Sequence, residues 1–289
     1  MGSADMLPTF FIIGAAKAGT TALFFYLDLH PEVQMSSEKE PDFFADPDSH
    51  LPFGRVSSRR RYEGLFDSAA PVRGEASHTY SVYPLHDGVP ERIHALVPDA
   101  KFIYLVRDPI DRMLAWYIQN QSWQRPLAPR EALGDIHDPR NEYIAGGKYM
   151  SQIERYLAVF GRDQLLVVEQ DELRTRRREA LGTVFDFLGV APEYWTPEFD
   201  QPHNLSRDRV YVPRPIRRIV RSRASRAVQA HLPEGVRKGI MGAGKAAVGR
   251  PILPAEFSPS LIEECREIFR PDAEALRSYT RKNLETWSV

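Results

Sequence analysis

Cysteine is almost absent from this chain: Cys265 stands alone among 289 residues. One thiol cannot close an intrachain disulfide, and a cysteine-rich metal site is excluded with it. An excess of one charge is missing too. Lys plus Arg total 38 against 39 Asp plus Glu, a formal net charge of −1. A wholly basic nucleic-acid binder would carry a clear surplus of cations, so no nucleic-acid partner is expected. Long hydrophobic runs are also lacking. Stretches such as Phe10 to Ile13 are far below the roughly 20 apolar residues that a membrane-spanning helix needs. The opening residues Met1-Gly2-Ser3-Ala4-Asp5 hold no basic region followed by an apolar one. No secretory signal is therefore expected, and a reduced, cytoplasmic setting fits best.

What is present is an ordinary globular composition, with 43% apolar and 27% charged residues. The near-zero net charge conceals a split. Residues 207–250 carry twelve Lys/Arg and two Asp/Glu, a local charge of +10 that leaves −11 for the rest. This stretch is also rich in Ser, Gly and Pro, and it reads as a basic insertion or lid within a single domain spanning 1–289. Such a run suits a solvated face, a cover over a bound phosphate, or a contact with an acidic partner or a membrane surface.

Strand and helix signals alternate. Pro8 to Gly14 (PTFFIIG) is apolar, β-branched and ends in glycine, which predicts a buried strand. Thr20 to Leu29 predicts a helix that His30-Pro31 ends. Further strands are expected at Val33–Met35, Val72–Ala76, Lys101–Val106 and Leu165–Val168. Helices are expected at Tyr62–Phe66, Pro90–Leu96, Ile110–Gln119, Tyr149–Phe160 and Arg177–Leu188, the last closed by Gly189. A final helical region runs over Ser258–Tyr279 with a break near Pro271. The alternation implies a doubly wound α/β fold with a central parallel sheet flanked by helices.

Two segments carry chemistry. Gly14-Ala15-Ala16-Lys17-Ala18-Gly19-Thr20-Thr21 joins the first strand to its helix. Small residues let the backbone approach a ligand, and amides at a helix N-terminus favour an anion. Lys17 adds a cation, and Thr20 and Thr21 add hydroxyls. The same residues also suit a plain βα turn with an exposed lysine. In an ATP-binding P-loop the lysine follows the second glycine, whereas Lys17 precedes Gly19 by two. No clear acidic residue closes an apolar strand to hold Mg²⁺, so no metal is expected. The second segment is Arg107-Asp108-Pro109-Ile110-Asp111-Arg112, at the end of the strongest strand. Ligands of open α/β sheets bind at the carboxyl ends of strands, and Arg107 there can grip a phosphate. Alternatively, Arg107 and Asp108 only pair with each other.

Together these segments resemble the sulfotransferases that use 3′-phosphoadenosine 5′-phosphosulfate (PAPS). Lys17-Ala18-Gly19-Thr20-Thr21 is similar to the family's 5′-phosphosulfate loop. Arg107-Asp108-Pro109-Ile110-Asp111-Arg112-Met113-Leu114-Ala115-Trp116-Tyr117 is similar to its 3′-phosphate motif, with Ala115 where the family has Ser. The missing hydroxyl is worth one hydrogen bond, about 1–2 kcal/mol. Lys39-Glu40-Pro41-Asp42-Phe43-Phe44, Gly74-Glu75-Ala76-Ser77-His78-Thr79-Tyr80 and Phe269-Arg270-Pro271-Asp272 extend the likeness, with Ala76 where a substrate-site Lys often sits and His78 where Pro is usual.

The resemblance implies a P-loop-like three-layer fold and in-line sulfuryl transfer to a hydroxyl or amine of a small molecule or glycan. It implies a nucleotide site of Ala16, Lys17, Ala18, Gly19, Thr20, Thr21, Arg107, Ala115 and, more loosely, Arg250. Lys17 would face the leaving oxygen. Glu40 leads as general base, with Pro41, Phe43 and Phe44 expected to raise its pKa; Glu38 and His78 are the reserves. Asp42 would orient the acceptor, and Tyr149 would lie near the nucleotide. Trp116, Tyr117 and Trp123 read more readily as core than as pocket. A nucleotide kinase or NTPase and a non-catalytic nucleotide-binding module remain the other readings.

Overall fold

The structure, a computed structural model, describes residues 6–48, 51, 55–66, 70–122, 127–201 and 256–289, with backbone alone at 210–211 and 250–251. In chain order the elements are β1 (Phe10–Gly14), α1 (Thr20–Asp28), β2 (Val33–Met35), α2 (Arg59–Glu63), β3 (Val72–Ala76) and α3 (Val89–His94). There follow β4 (Lys101–Val106), α4 (Pro109–Gln121), α5 (Pro129–Leu133), α6 (Glu142–Ala145), α7 (Tyr149–Leu157), β5 (Leu165–Glu169), α8 (Gln170–Thr175) and α9 (Arg177–Leu188). Two short strands, β6 (Val210–Tyr211) and β7 (Arg250–Pro251), pair antiparallel, and α10 (Pro259–Thr280) closes the chain. The expected insertion at 207–250 otherwise lies outside the described residues.

Five parallel strands form the sheet in the order β2-β3-β1-β4-β5. The central position of β1 explains its sequence. Every residue of FFIIG is buried, because strands flank it and helices cover both faces. The β1–β2 connection runs one way along the sheet and the later ones run back. Right-handed crossovers therefore place α1 on one face and the helices between β2 and β5 on the other. The fold is thus the three-layer α/β arrangement expected.

Aromatic rings fill the second face: Phe102 stacks on Phe11 at 5.8 Å and meets Phe160 at 4.6 Å and Tyr156 at 4.9 Å. On the first face, His30 contacts the rings of Phe185 and Tyr194. A second cluster, with Met113, Tyr117, Ile144, Cys265 and Phe269, joins α4 and α6 to α10.

The break expected near Pro271 is absent. The helix runs unbroken from Pro259 to Thr280, because Phe269, Ala273 and Leu276 are buried around the proline. Asp272 also ties this turn to α7, accepting the Met150 and Ser151 amides at 2.9 Å each. Packing outweighs the one backbone bond that proline removes. Beyond α10 the chain crosses the carboxyl end of the sheet. Trp287 packs on Tyr149 and donates to Glu169 at 2.9 Å, and the Ser288 amide donates to Asp108. No described helix is long and apolar enough to cross a membrane.

Candidate active site

The chain leaves β1 toward β2 and leaves β4 toward β5, in opposite directions along the sheet. The loops after these neighbouring strands diverge and open a crevice at their carboxyl ends. The two chemical segments read from the sequence are these loops.

The first is drawn tightly onto β4. Ala15 N–H donates to Leu105 O at 2.7 Å, and Ala18 N–H to Ala15 O at 3.0 Å. Gly14 leaves no room for a side chain, since a Cβ there would lie 2.1 Å from Ser81 Oγ. Gly19 caps α1 with φ +101°, a conformation that glycine adopts without a Cβ clash. Thr20 and Thr21 are the first helical residues, where backbone N–H groups have no partner within the helix. Lys17 is half-buried with φ +72°, and Ala16 and Ala18 beside it offer nothing larger than a methyl group. Lys17 Nζ donates to Gln119 Oε1 at 3.4 Å, and its carbonyl accepts from Gln170 Nε2 at 3.5 Å.

In the second loop, Arg107 does not pair with Asp108. Its guanidinium binds Asp111 at 2.9 Å in an exposed i,i+4 pair. Such a pair is weak and readily exchanged for a phosphate. Asp108 caps α4, accepting the Asp111 amide at 2.8 Å. Tyr149 Oη donates to Arg107 O at 2.7 Å, so this tyrosine braces the loop's backbone. Ala115 is buried on α4. Arg112 is fully buried, and its guanidinium donates to Tyr143 O; burial lowers its pKa below the usual arginine value. Arg112 therefore braces α6, walled off from solvent. The side chains of Arg250 and Trp123 lie outside the described residues.

Glu40 sits on the turn after β2. Its N–H donates to Ala76 O at 3.0 Å, and both Glu40 (φ +59°) and Asp42 (φ +52°) adopt left-handed backbone. Its carboxylate meets Lys39 Nζ at 2.7 Å and His78 Nδ1 at 3.2 Å. This corrects the expectation of a raised pKa. Burial does push the carboxyl up, but His78 and Lys39 push it down further, to well below the usual carboxylate range. Asp42 is buried and accepts from Thr79 Oγ1 at 2.6 Å, which ties it into the same turn. Glu38 pairs with Arg61 at 3.1 Å on the surface, away from the Glu40 pair. His78 packs on Trp116, ring centroids 5.6 Å apart, while Tyr117 belongs to the second core cluster as expected.

Helix α4 links the two halves. Trp116 touches His78, and Gln119, three residues on and hence on the same helix face, accepts from Lys17. Gln119 had no signal in the sequence beyond being a polar residue on an apolar helix face. Among the described residues, no group of three or more His, Cys, Asp or Glu could hold a metal ion.

A family model described as a sulfotransferase domain matches residues 7–241. The chain belongs to the sulfotransferase family. A solved sulfotransferase from Alicyclobacillus acidocaldarius superposes with a TM-score of 0.68 over 98% of this chain and 99% of that one, at 26% identity. The human bifunctional heparan sulfate N-deacetylase/N-sulfotransferase 3 is 32% identical over 213 residues, 66% of this chain and 23% of its own length. The Caenorhabditis elegans N-deacetylase/N-sulfotransferase 1 aligns over 97% of this chain and 31% of its own, at 26% identity. The chain thus spans about a quarter to a third of the length of these curated relatives. Family membership bears out the resemblance that the two loops carry and sets aside the kinase reading.

Proposed function

We propose that this sulfotransferase moves a sulfuryl group to a hydroxyl or amine of a small molecule or glycan, with Glu40 and His78 receiving the acceptor's proton as a pair. The observation that carries this is the single face of α4, which holds Lys17 through Gln119 and the Glu40–His78 pair through Trp116. A nucleotide cation and a proton acceptor thereby flank one crevice.

The roles follow from placement. The N-terminus of α1, with Gly19, Thr20 and Thr21, receives the 5′-phosphate. Arg107 exchanges Asp111 for the 3′-phosphate. A lone pair of the acceptor attacks sulfur as the bond from sulfur to the bridging phosphate oxygen breaks. The bisphosphate leaves with that electron pair, and Lys17 faces the new charge. The acceptor's proton passes to the pair. A carboxylate held this low is a weak base alone. An imidazole works near neutral pH, and Glu40 beside it stabilises the cation formed.

The names of the relatives support a glycan amine as acceptor. The +10 segment at 207–250 supports an acidic one. An acceptor KM that rises with salt would fit that attraction, and a salt-independent KM would remove it.

The test is sulfuryl transfer from PAPS to N-deacetylated heparan-type glycan and to simple alcohols, phenols and amines, with affinity for the product bisphosphate (PAP) measured by calorimetry. Lys17→Ala should abolish transfer. Glu40→Gln and His78→Gln should each lower kcat roughly 100-fold or more while PAP still binds. Full activity in Glu40→Gln would overturn the base assignment. PAP binding with no transfer to any acceptor would turn the reading to a nucleotide-binding module.

A further inference from the structure

Glu75 is fully buried in the sheet, one strand from the centre, and takes no part in the chemistry above. It pairs in register with Phe11, and the rings of Phe11, Phe43, Phe44, Tyr62 and Tyr80 pack on one another around this end of β3. A carboxylate enclosed by aromatic rings is costly to desolvate, and an apolar side chain would fill the place more cheaply. What it does instead is accept three hydroxyl donors. Tyr62 Oη donates at 2.7 Å and Tyr80 Oη at 2.8 Å to one oxygen, and Ser77 Oγ donates at 2.8 Å to the other.

Two of those hydroxyls have a second task. Ser77 Oγ accepts the backbone N–H of Asp42 at 3.1 Å, and Tyr80 Oη accepts that of Phe44 at 3.1 Å. Each hydroxyl has one hydrogen, and Glu75 takes it, so the lone pairs are left turned toward the 40–44 turn. That turn carries the left-handed Glu40 and Asp42, a backbone shape costing roughly 1–2 kcal/mol per residue unless its surroundings impose it. The Tyr62 hydroxyl differs: its bond to Glu75 leads to no amide of the turn.

We propose that Glu75 is a positioning residue for the proton acceptor. Its buried carboxylate orients the hydroxyls of Ser77 and Tyr80, these hold the amides of Asp42 and Phe44, and the turn so fixed sets Glu40 between Lys39 and His78. Its catalytic meaning rests on the role proposed for Glu40; the placement itself does not.

The experiment uses three variants of the full chain at about pH 8, above the value of about 7 at which Glu75 ionises, and follows hydrogen exchange of the Asp42 and Phe44 amides by ¹⁵N NMR. In the wild type both amides should be protected. In Glu75→Gln and in Tyr80→Phe the protection of the Phe44 amide should fall roughly 10-fold or more, because its acceptor is no longer oriented or is gone. In Tyr62→Phe, which loses an equal bond to Glu75 but none to the turn, both amides should behave as wild type. If Glu75→Gln does not fold, the contrast of Tyr80→Phe with Tyr62→Phe decides. Unchanged protection in folded Glu75→Gln and Tyr80→Phe overturns the proposal, and so does an equal loss in Tyr62→Phe. With a working acceptor, kcat should fall about 10–100-fold in the two affected variants while the KM for PAPS holds. A wild-type chain that shows this NMR pattern yet transfers nothing supports the positioning and refutes the functional reading alone.

Discussion

Glu75→Gln should change the way stability responds to pH, and the size of the change can be worked out. Burial pushes the Glu75 carboxyl up from 4.5 to about 7, even though three hydroxyls favour its charged form. In the unfolded chain the group titrates near 4.5. Between those two values the folded protein keeps a proton that the unfolded chain has already lost. Stability therefore falls as pH rises through this window and is level above it. At about 1.4 kcal/mol per pH unit, the fall comes to about 3 kcal/mol. Glutamine has no proton to lose, so the variant lacks this slope. The assay is urea unfolding of both proteins at steps from about pH 4.5 to about pH 8. Relative to the variant, the wild type should lose about 3 kcal/mol across the series. Asp42 and Asp272 are present in both proteins, and Glu40, whether held by its partners or released, titrates no higher than its ordinary 4.5, at or below the foot of the series, so the difference isolates position 75. Parallel curves would show that Glu75 titrates alike in both states and would refute the argument.

Three further outcomes are expected. Ala115→Ser, at a buried site on α4, should return a hydroxyl to the 3′-phosphate motif and tighten PAP by about 1 kcal/mol, roughly 5-fold in calorimetry; unchanged affinity would place that phosphate elsewhere. Phe102→Ala removes a ring packed on Phe11, Tyr156 and Phe160 and should cost about 3–5 kcal/mol in denaturant unfolding. Asp272→Ala strips the acceptor from the Met150 and Ser151 amides at the start of α7 and should cost about 1–2 kcal/mol in the same assay.

All five sheet strands were legible in the sequence because the central ones are short apolar runs with sharp ends, and a buried parallel strand needs little else. The loops proposed to hold phosphate are legible because chemistry there is local: Lys17, Gly19, Thr20 and Thr21 are neighbours in sequence. The rest depends on residues far apart in the chain. Gln119 meets Lys17 across 102 positions, and Tyr80 meets Phe44 across 36. No spacing rule links such pairs. The pKa of Glu40 was misjudged for the same reason. Its apolar neighbours in sequence are visible, while His78, which together with Lys39 outweighs burial, comes from another strand's end. Pro271 misled in the other direction, since a local breaker yielded to burial on either side of it.

The last residues add a matter of timing. The Ser288 amide reaches Asp108 across 180 positions of chain, and Trp287 reaches Glu169 across 118. Contacts of such separation close late, because the intervening chain must be ordered first. On a ribosome the loops after β1 and β4 emerge well before the segment that straps them. A nascent chain therefore presents the crevice between these loops half-braced, and only synthesis of the last residues adds the contacts to Asp108, Tyr149 and Glu169.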